Sequence, residues 1–315
     1  MLVSQIRSTN PLSSILFIFL FWILNTVFGL RELFLQFSNW NHFPLFEFFC
    51  AQLSILGISI LLNKVLQKNK LVGVGDAFSG VLFLIFVLGL HSLHLYYKEL
   101  IALFLISMAI SRLINLYNAH KNYIKEFEIG ILFGLSAAIA PGLLPVSIMM
   151  FVGTALVVPF SWRDFVVSLF GFIWVFFAKF SLFYIFEFSG NEVLPNLLFS
   201  ISNVDVDFNI SSLSILFICI VQLIIFIRIF LILEKRNIKE RVFYRLWIWT
   251  LVFLFLSLMF SSINLNKAIL IVYLGLPCAI FGSEFFPSKR KLKGYWKKEI
   301  LLYTMVAIQI VIRMN

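Results

Sequence analysis

Apolar residues run in long blocks along this chain, and polar residues fall in short clusters between them. A block of about 20 apolar residues is long enough for a helix to cross a hydrocarbon layer. The pattern predicts such helices at about 12–30, 44–63, 77–95, 99–118, 165–187, 210–233, 245–262, 267–285 and 299–313. The stretch from Ile129 to Trp162 differs, because it carries no charge at all. As one straight helix it would be about 51 Å long, against a hydrocarbon core of about 30 Å. Tilt alone does not hide that excess. The stretch also holds Pro141, Gly142, Pro145 and Pro159. Proline breaks the helical hydrogen-bond ladder, and a Pro-Gly pair signals a turn. Two short helices are expected, about 129–140 and 143–159, joined by a tight turn.

Loop charge bears on the same question. With that hairpin counted as two passes, the chain makes about eleven crossings in an all-α bundle forming one integral-membrane domain, 1–315. With Arg7 on the cytoplasmic side, most of the 25 Lys and Arg fall in cytoplasmic loops. They include Lys64, Lys68, Lys70, Lys121, Lys125 and Arg163, then the clusters at 234–245 and 289–298. The outer side receives only Arg31, Lys98, Lys267 and Arg313, while Arg112, Lys179 and Arg228 lie within spans. A single pass at 129–160 would send both large basic clusters outside, against the positive-inside tendency. A re-entrant loop gives the same parity as a full hairpin, and the two stay open. The N-terminus is expected inside and the C-terminus outside. A non-helical turn at membrane depth has to be shielded by protein or face a watery cavity.

Composition agrees with this picture. Of 315 residues, 61% are hydrophobic and 13% charged, about half the charge of an ordinary soluble domain. The net charge of +10 does not indicate nucleic acid, since the basic residues form no groove-sized domain. Cys50, Cys219 and Cys278 sit unpaired in apolar runs and read as small core residues. The first apolar run lacks a good signal-peptidase site and reads as a retained anchor.

Few residues offer chemistry. Glu32, in the first outer loop, and Glu47, at the outer end of the second span, are candidate catalytic carboxylates. An outer carboxylate is what a transferase of lipid-linked sugars needs as general base or metal ligand. Acidic outer loops are also commonplace. Lys179 lies deep in its span, and either anchors at the outer interface or serves an internal polar site. With Pro141, Gly142 and Pro145 it forms the candidate substrate-binding set. Lys235, Arg236, Lys239, Arg241, Lys289, Arg290, Lys291, Lys293, Lys297 and Lys298 mix with aromatics at the inner boundary. They suit anionic lipid headgroups or a membrane partner. Arg112 and Arg228 can snorkel. His91 and His94 stand three apart at a helix end, and Asp205 and Asp207 form one D-x-D. Neither is a convincing metal site, and no cofactor is indicated. No P-loop, dinucleotide fingerprint, zinc-protease or serine-hydrolase motif occurs, and no repeat or paired broken helices.

Three stretches carry a resemblance: SRLINLYNAHKNYIKEFEIGILFGLSAAIAPGLLPVSIMMFVG, PFSWRDFVVSLFGF and FGSEFFPSKRKLKGYWKKEILLY. With the N-terminal RSTNPLSS, their order resembles an uncharacterised family of multi-spanning inner-membrane proteins of Bacteroidota. The resemblance implies a bacterial inner membrane and an envelope role. Members are sometimes labelled carotene-cleaving oxygenases, which hold iron with four histidines. This chain has four, at 42, 91, 94 and 120, and the expected topology puts His120 on the opposite face from the rest. Two functions are therefore expected to compete: handling or transfer of lipid-linked envelope precursors, or a non-catalytic subunit of an envelope assembly such as a secretion or gliding machine. A solute transporter ranks last, since few polar residues line the midplane.

Overall fold

The computed structural model describes residues 6, 11–36, 44–69, 76–89, 93–117, 123–157, 161–185, 224, 226–227, 230–231, 233–234, 236–260, 267–285 and 295–314. Among them there is no strand. The helices are α1 (Pro11–Gln36), α2 (Leu45–Lys68), α3 (Phe78–Leu88), α4 (Tyr97–Leu116), α5 (Tyr123–Ile139), α6 (Met149–Val157), α7 (Trp162–Ile185), α8 (Ile238–Phe260), α9 (Lys267–Phe285) and α10 (Tyr295–Met314). Two 3-10 helices, Leu93–Tyr96 and Pro141–Ile148, precede α4 and α6.

Among the described residues, five helices are long and apolar enough to cross a membrane: Ile15–Phe34, Leu45–Lys68, Leu93–Leu116, Trp162–Ile185 and Ile238–Leu258. Phe78–Leu88, Pro141–Val157, Val272–Phe285 and Glu299–Val311 are apolar but shorter. The expected count of about eleven passes is not supported. The clearest shortfall is at 77–95, where α3 stops at Leu88. Its eleven residues rise only about 16 Å, roughly half the hydrocarbon core. The expected span at 210–233 falls largely outside the described residues.

The chain forms two compact units. One contains α1, α2, α3, α9 and α10, and the other α4 to α8. In the first, every residue of α3 is buried. A helix apolar all round belongs at the centre of a bundle, and α3 packs against α1, α2, α9 and α10. Its start is closed by acceptors. Asp76 Oδ1 accepts from the Phe78 N–H at 2.9 Å, and Asn63 Oδ1 accepts from Ser79 Oγ at 2.6 Å and the Gly80 N–H at 2.8 Å. These meet donors that a helix N-terminus leaves orphaned. Around it, α1 and α2 run antiparallel. Trp22 Nε1 donates to the Gln52 carbonyl at 3.1 Å, Thr26 Oγ1 donates to Gln52 Oε1 at 3.3 Å, and Gly29 lies against Phe48.

In the second unit α5 and α7 run parallel. Gly130 faces Ser168, Gly134 faces Phe172 and Val175, and Lys179 reaches Ala138. Residue numbers rise together along both helices, so the chain returns between them. The return is the 3-10 segment and α6, about 16 Å and about 13 Å of rise. The charge-free run is therefore not one helix, as the proline and length arguments predict. Its construction differs from the expected pair. The first helix begins at Tyr123, and the join is one extended residue, Ala140 (φ −126°, ψ 92°). The second half begins as a 3-10 helix and becomes α-helical only at Met149. The reason is Pro145, which has no N–H for the Pro141 carbonyl and whose ring clashes with it in an α-turn.

Small residues make the α5–α7 contact close. A Cβ on Gly130 would collide with the Ser168 carbonyl, and one on Gly171 with the Phe127 carbonyl. In lipid, helices associate through such close packing rather than through hydrophobic burial. The opposite side of α7 exposes Phe170, Ile173, Trp174 and Phe177. That stripe, spaced three and four apart, suits acyl chains.

Candidate functional site

One polar cluster of the first unit lies toward the ends of α1, α3 and α10. Helix α3 stops inside the bundle, and its last carbonyls lack helical partners. Arg313, from the last turn of α10, reaches the Leu88 carbonyl with Nη1 at 2.9 Å. The same nitrogen donates to Asn25 Oδ1 at 2.9 Å, and Nε donates to Glu32 Oε1 at 2.7 Å. A cation at a helix C-terminus is favourable, and a carboxylate beside it compensates the buried charge. The Arg313 side chain is fully buried. His94, also buried, lies within electrostatic reach of Glu47 and Glu32. Glu47 is half-buried in the first turn of α2.

The two carboxylates singled out from sequence thus stand near one histidine. Glu32 is nonetheless held in an ion pair with Arg313 at 2.7 Å. Sequence reasoning assigned Arg313 to the outer C-terminus and missed this role. A lone arginine in the last turn of an apolar helix was the available signal.

The substrate-binding candidates all belong to the second unit. Pro141 removes the N–H that would meet the Ala137 carbonyl and ends α5 early. Lys179 Nζ donates to the neighbouring Ala138 carbonyl at 3.1 Å. Lys179 therefore closes the broken helix end with a positive charge. Pro141 and Gly142 are half-buried and Pro145 is buried.

At the other end of the same helix pair lies a feature absent from the sequence reading. Glu126 on α5 and Asp164 on α7 are 1% and 3% exposed, and their side chains are within hydrogen-bond reach of each other. Glu126 Oε2 and Asp164 Oδ1 meet no donor. Glu126 precedes the charge-free run. Burial, first, and then the Asp164 carboxyl beside it push the Glu126 carboxyl up to about 7. Nearby, Arg112 pairs with Glu128 at 3.6 Å, both half-exposed.

The basic candidates divide. Arg236 Nη2 pairs with Glu284 Oε2 at 2.8 Å, so it serves an internal contact. Lys239 and Arg241 are half-buried in the first turns of α8. Lys235, Lys289, Arg290, Lys291 and Lys293 lie outside the described residues, as do the side chains of Lys297 and Lys298. So do His42, His91, His120, Asp205 and Asp207. Among the described residues no three His, Cys, Asp or Glu could hold a metal.

A family model, "Family of unknown function (DUF6427)", matches residues 5–314. The chain belongs to this family. The match takes in both units, so Arg313, Lys179 and the Glu126–Asp164 pair all lie within the DUF6427 region. No curated protein and no solved structure matches the chain.

Proposed function

We propose that this DUF6427 protein is a multi-pass protein of the bacterial inner membrane that serves as a non-catalytic subunit of an envelope assembly. One observation carries the reading. Both charged side chains offered as chemistry and found deep in the helices are spent on closing helix ends, Glu32 through Arg313 at Leu88 and Lys179 at Ala138. A catalytic group needs a free functional end pointed at substrate, and each of these two groups is engaged by a partner at a helix end instead. The apolar stripe on α7 supports membrane embedding.

An N-terminus inside and a C-terminus outside remain part of the proposal. The α1, α3 and α10 ends meet at Arg313, and the parallel α5 and α7 support the predicted return of the chain. Anionic headgroups at the basic boundary residues, and membrane-protein partners, complete the reading.

The competing reading, handling of lipid-linked precursors, rests on Glu47 beside His94. Lipid profiling of a deletion strain together with complementation by Glu47→Gln separates the two. The subunit reading expects no accumulated precursor and full complementation by Glu47→Gln at wild-type abundance. An accumulated lipid-linked intermediate, or a Glu47→Gln protein that accumulates without complementing, overturns it.

A further inference from the structure

The Glu126–Asp164 pair is not used by that reading. The two carboxyls face each other between helices whose backbones touch at Gly130 and Gly171, so they have little room to separate. As two carboxylates they hold only acceptors, and a donor has to come from elsewhere. For Glu126 Oε2 and Asp164 Oδ1 none is found among the described residues. The Ser168 hydroxyl donates to the Asp164 backbone carbonyl at 3.0 Å. The 3-10 segment and α6, which also pack on α5, carry no titratable group. Arg112, from α4, pairs with Glu128. Arg163 and Lys125 are the sequence neighbours of the two acids, and Glu126 Oε2 and Asp164 Oδ1 are left without a hydrogen-bond donor among the described residues.

We propose that Glu126 and Asp164 form a proton-operated clasp, in which one proton shared by the two buried carboxyls holds the first turns of α5 and α7 together. The proton on one carboxyl is donated in a hydrogen bond to the other. On dissociation that O–H bond breaks, the proton passes to water, and two carboxylates face each other across a glycine-packed contact. Repulsion and hydration then draw the first turns apart. The other end of the pair stays tied by Lys179 at Ala138, so the motion pivots there. It is carried into the 3-10 segment that follows Ala140. The elevated Glu126 value of about 7 puts the transition near neutral pH.

The test uses the full chain in lipid nanodiscs, with Cys50, Cys219 and Cys278 replaced by serine and nitroxides at Tyr123 and Trp162. Both labelled positions are exposed in the first turns of α5 and α7. The expected result is one short distance at about pH 5.5 and a longer, broader distribution at about pH 8.5, with a midpoint near 7. Glu126→Gln and Asp164→Asn each keep the short distance at both values, because the amide donates to the remaining carboxylate. A wild-type distribution that does not change, or a variant that keeps the full shift, overturns the clasp. Infrared titration of the wild type needs no variant. A protonated-carboxyl band lost near neutral pH supports the clasp, and the absence of such a band overturns it.

Discussion

Two acids, the partly exposed Glu32 and the buried Glu126, meet opposite fates. Glu32 faces a guanidinium, with Asn25 and the Leu88 carbonyl completing the set. Glu126 faces another carboxyl, Asp164. The first arrangement is neutral as a whole, because the guanidinium of Arg313 is a fixed charge. The second is neutralised only in part, and only by a proton. Withdrawal from solvent alone does not make a carboxylate a functional group. What decides is whether the partner is a fixed charge or an exchangeable one.

The sharpest way to break the comparison is to remove the fixed charge. Arg313→Met leaves the half-buried Glu32 without its counter-charge and the Leu88 carbonyl without its donor. A loss of about 3–5 kcal/mol is expected, read as low membrane abundance and an early thermal transition in detergent. Adding Glu32→Gln is expected to restore part of it, since no uncompensated charge remains. A smaller effect is expected from Gly130→Ala, whose new methyl collides with the Ser168 carbonyl. Forcing the α5–α7 contact open costs about 1–3 kcal/mol and weakens the clasp from outside the acid pair. Lys179→Met removes the cap on the broken helix at a cost of about 1 kcal/mol. Lys179→Arg is expected to keep most of the stability, and equal melting of all three proteins would remove the capping role.

The smallest effect in acid, and the most informative, belongs to Glu126→Gln. The folded Glu126 value of about 7 lies above the ordinary 4.5, so the folded protein holds the proton more tightly than the unfolded chain. The stabilisation is complete below about 4.5 and is lost as pH rises through about 7. Wild type is thus expected to melt progressively earlier across that window. Glu126→Gln is expected to match it at the acid end and to melt later than it at the alkaline end. Parallel melting curves for the two proteins at every pH would show that burial and Asp164 do not raise the Glu126 value.

Some of this was legible in the chain. The apolar blocks predict α2, α4, α7, α9 and α10 to about five residues, because hydropathy over twenty positions is a local property. By contrast, α1 runs past its expected end to Gln36, and α8 starts before its expected beginning, at Ile238. The break at Pro141 was legible for the same reason, since a missing N–H needs no partner to take effect. Lys179 was legible as an anomaly and not as a cap, because its acceptor, Ala138, lies 41 residues away. The short helices α3 and α6 were overestimated, since an apolar run does not say where its helix stops.

Pairing was not legible at all. Arg313 and Glu32 are separated by 281 residues, and each looks like an ordinary polar residue at a helix end. Glu126 and Asp164 look like solvated acids flanking an apolar run. The sequence by itself determined that the chain is helical, apolar and broken at Ala140–Pro141, all of which follow from local composition and backbone chemistry. Only the tertiary structure decided which charges are fixed and which can take up a proton. That depends on which helix packs against which, through contacts such as Gly130 against Ser168 that no local pattern encodes.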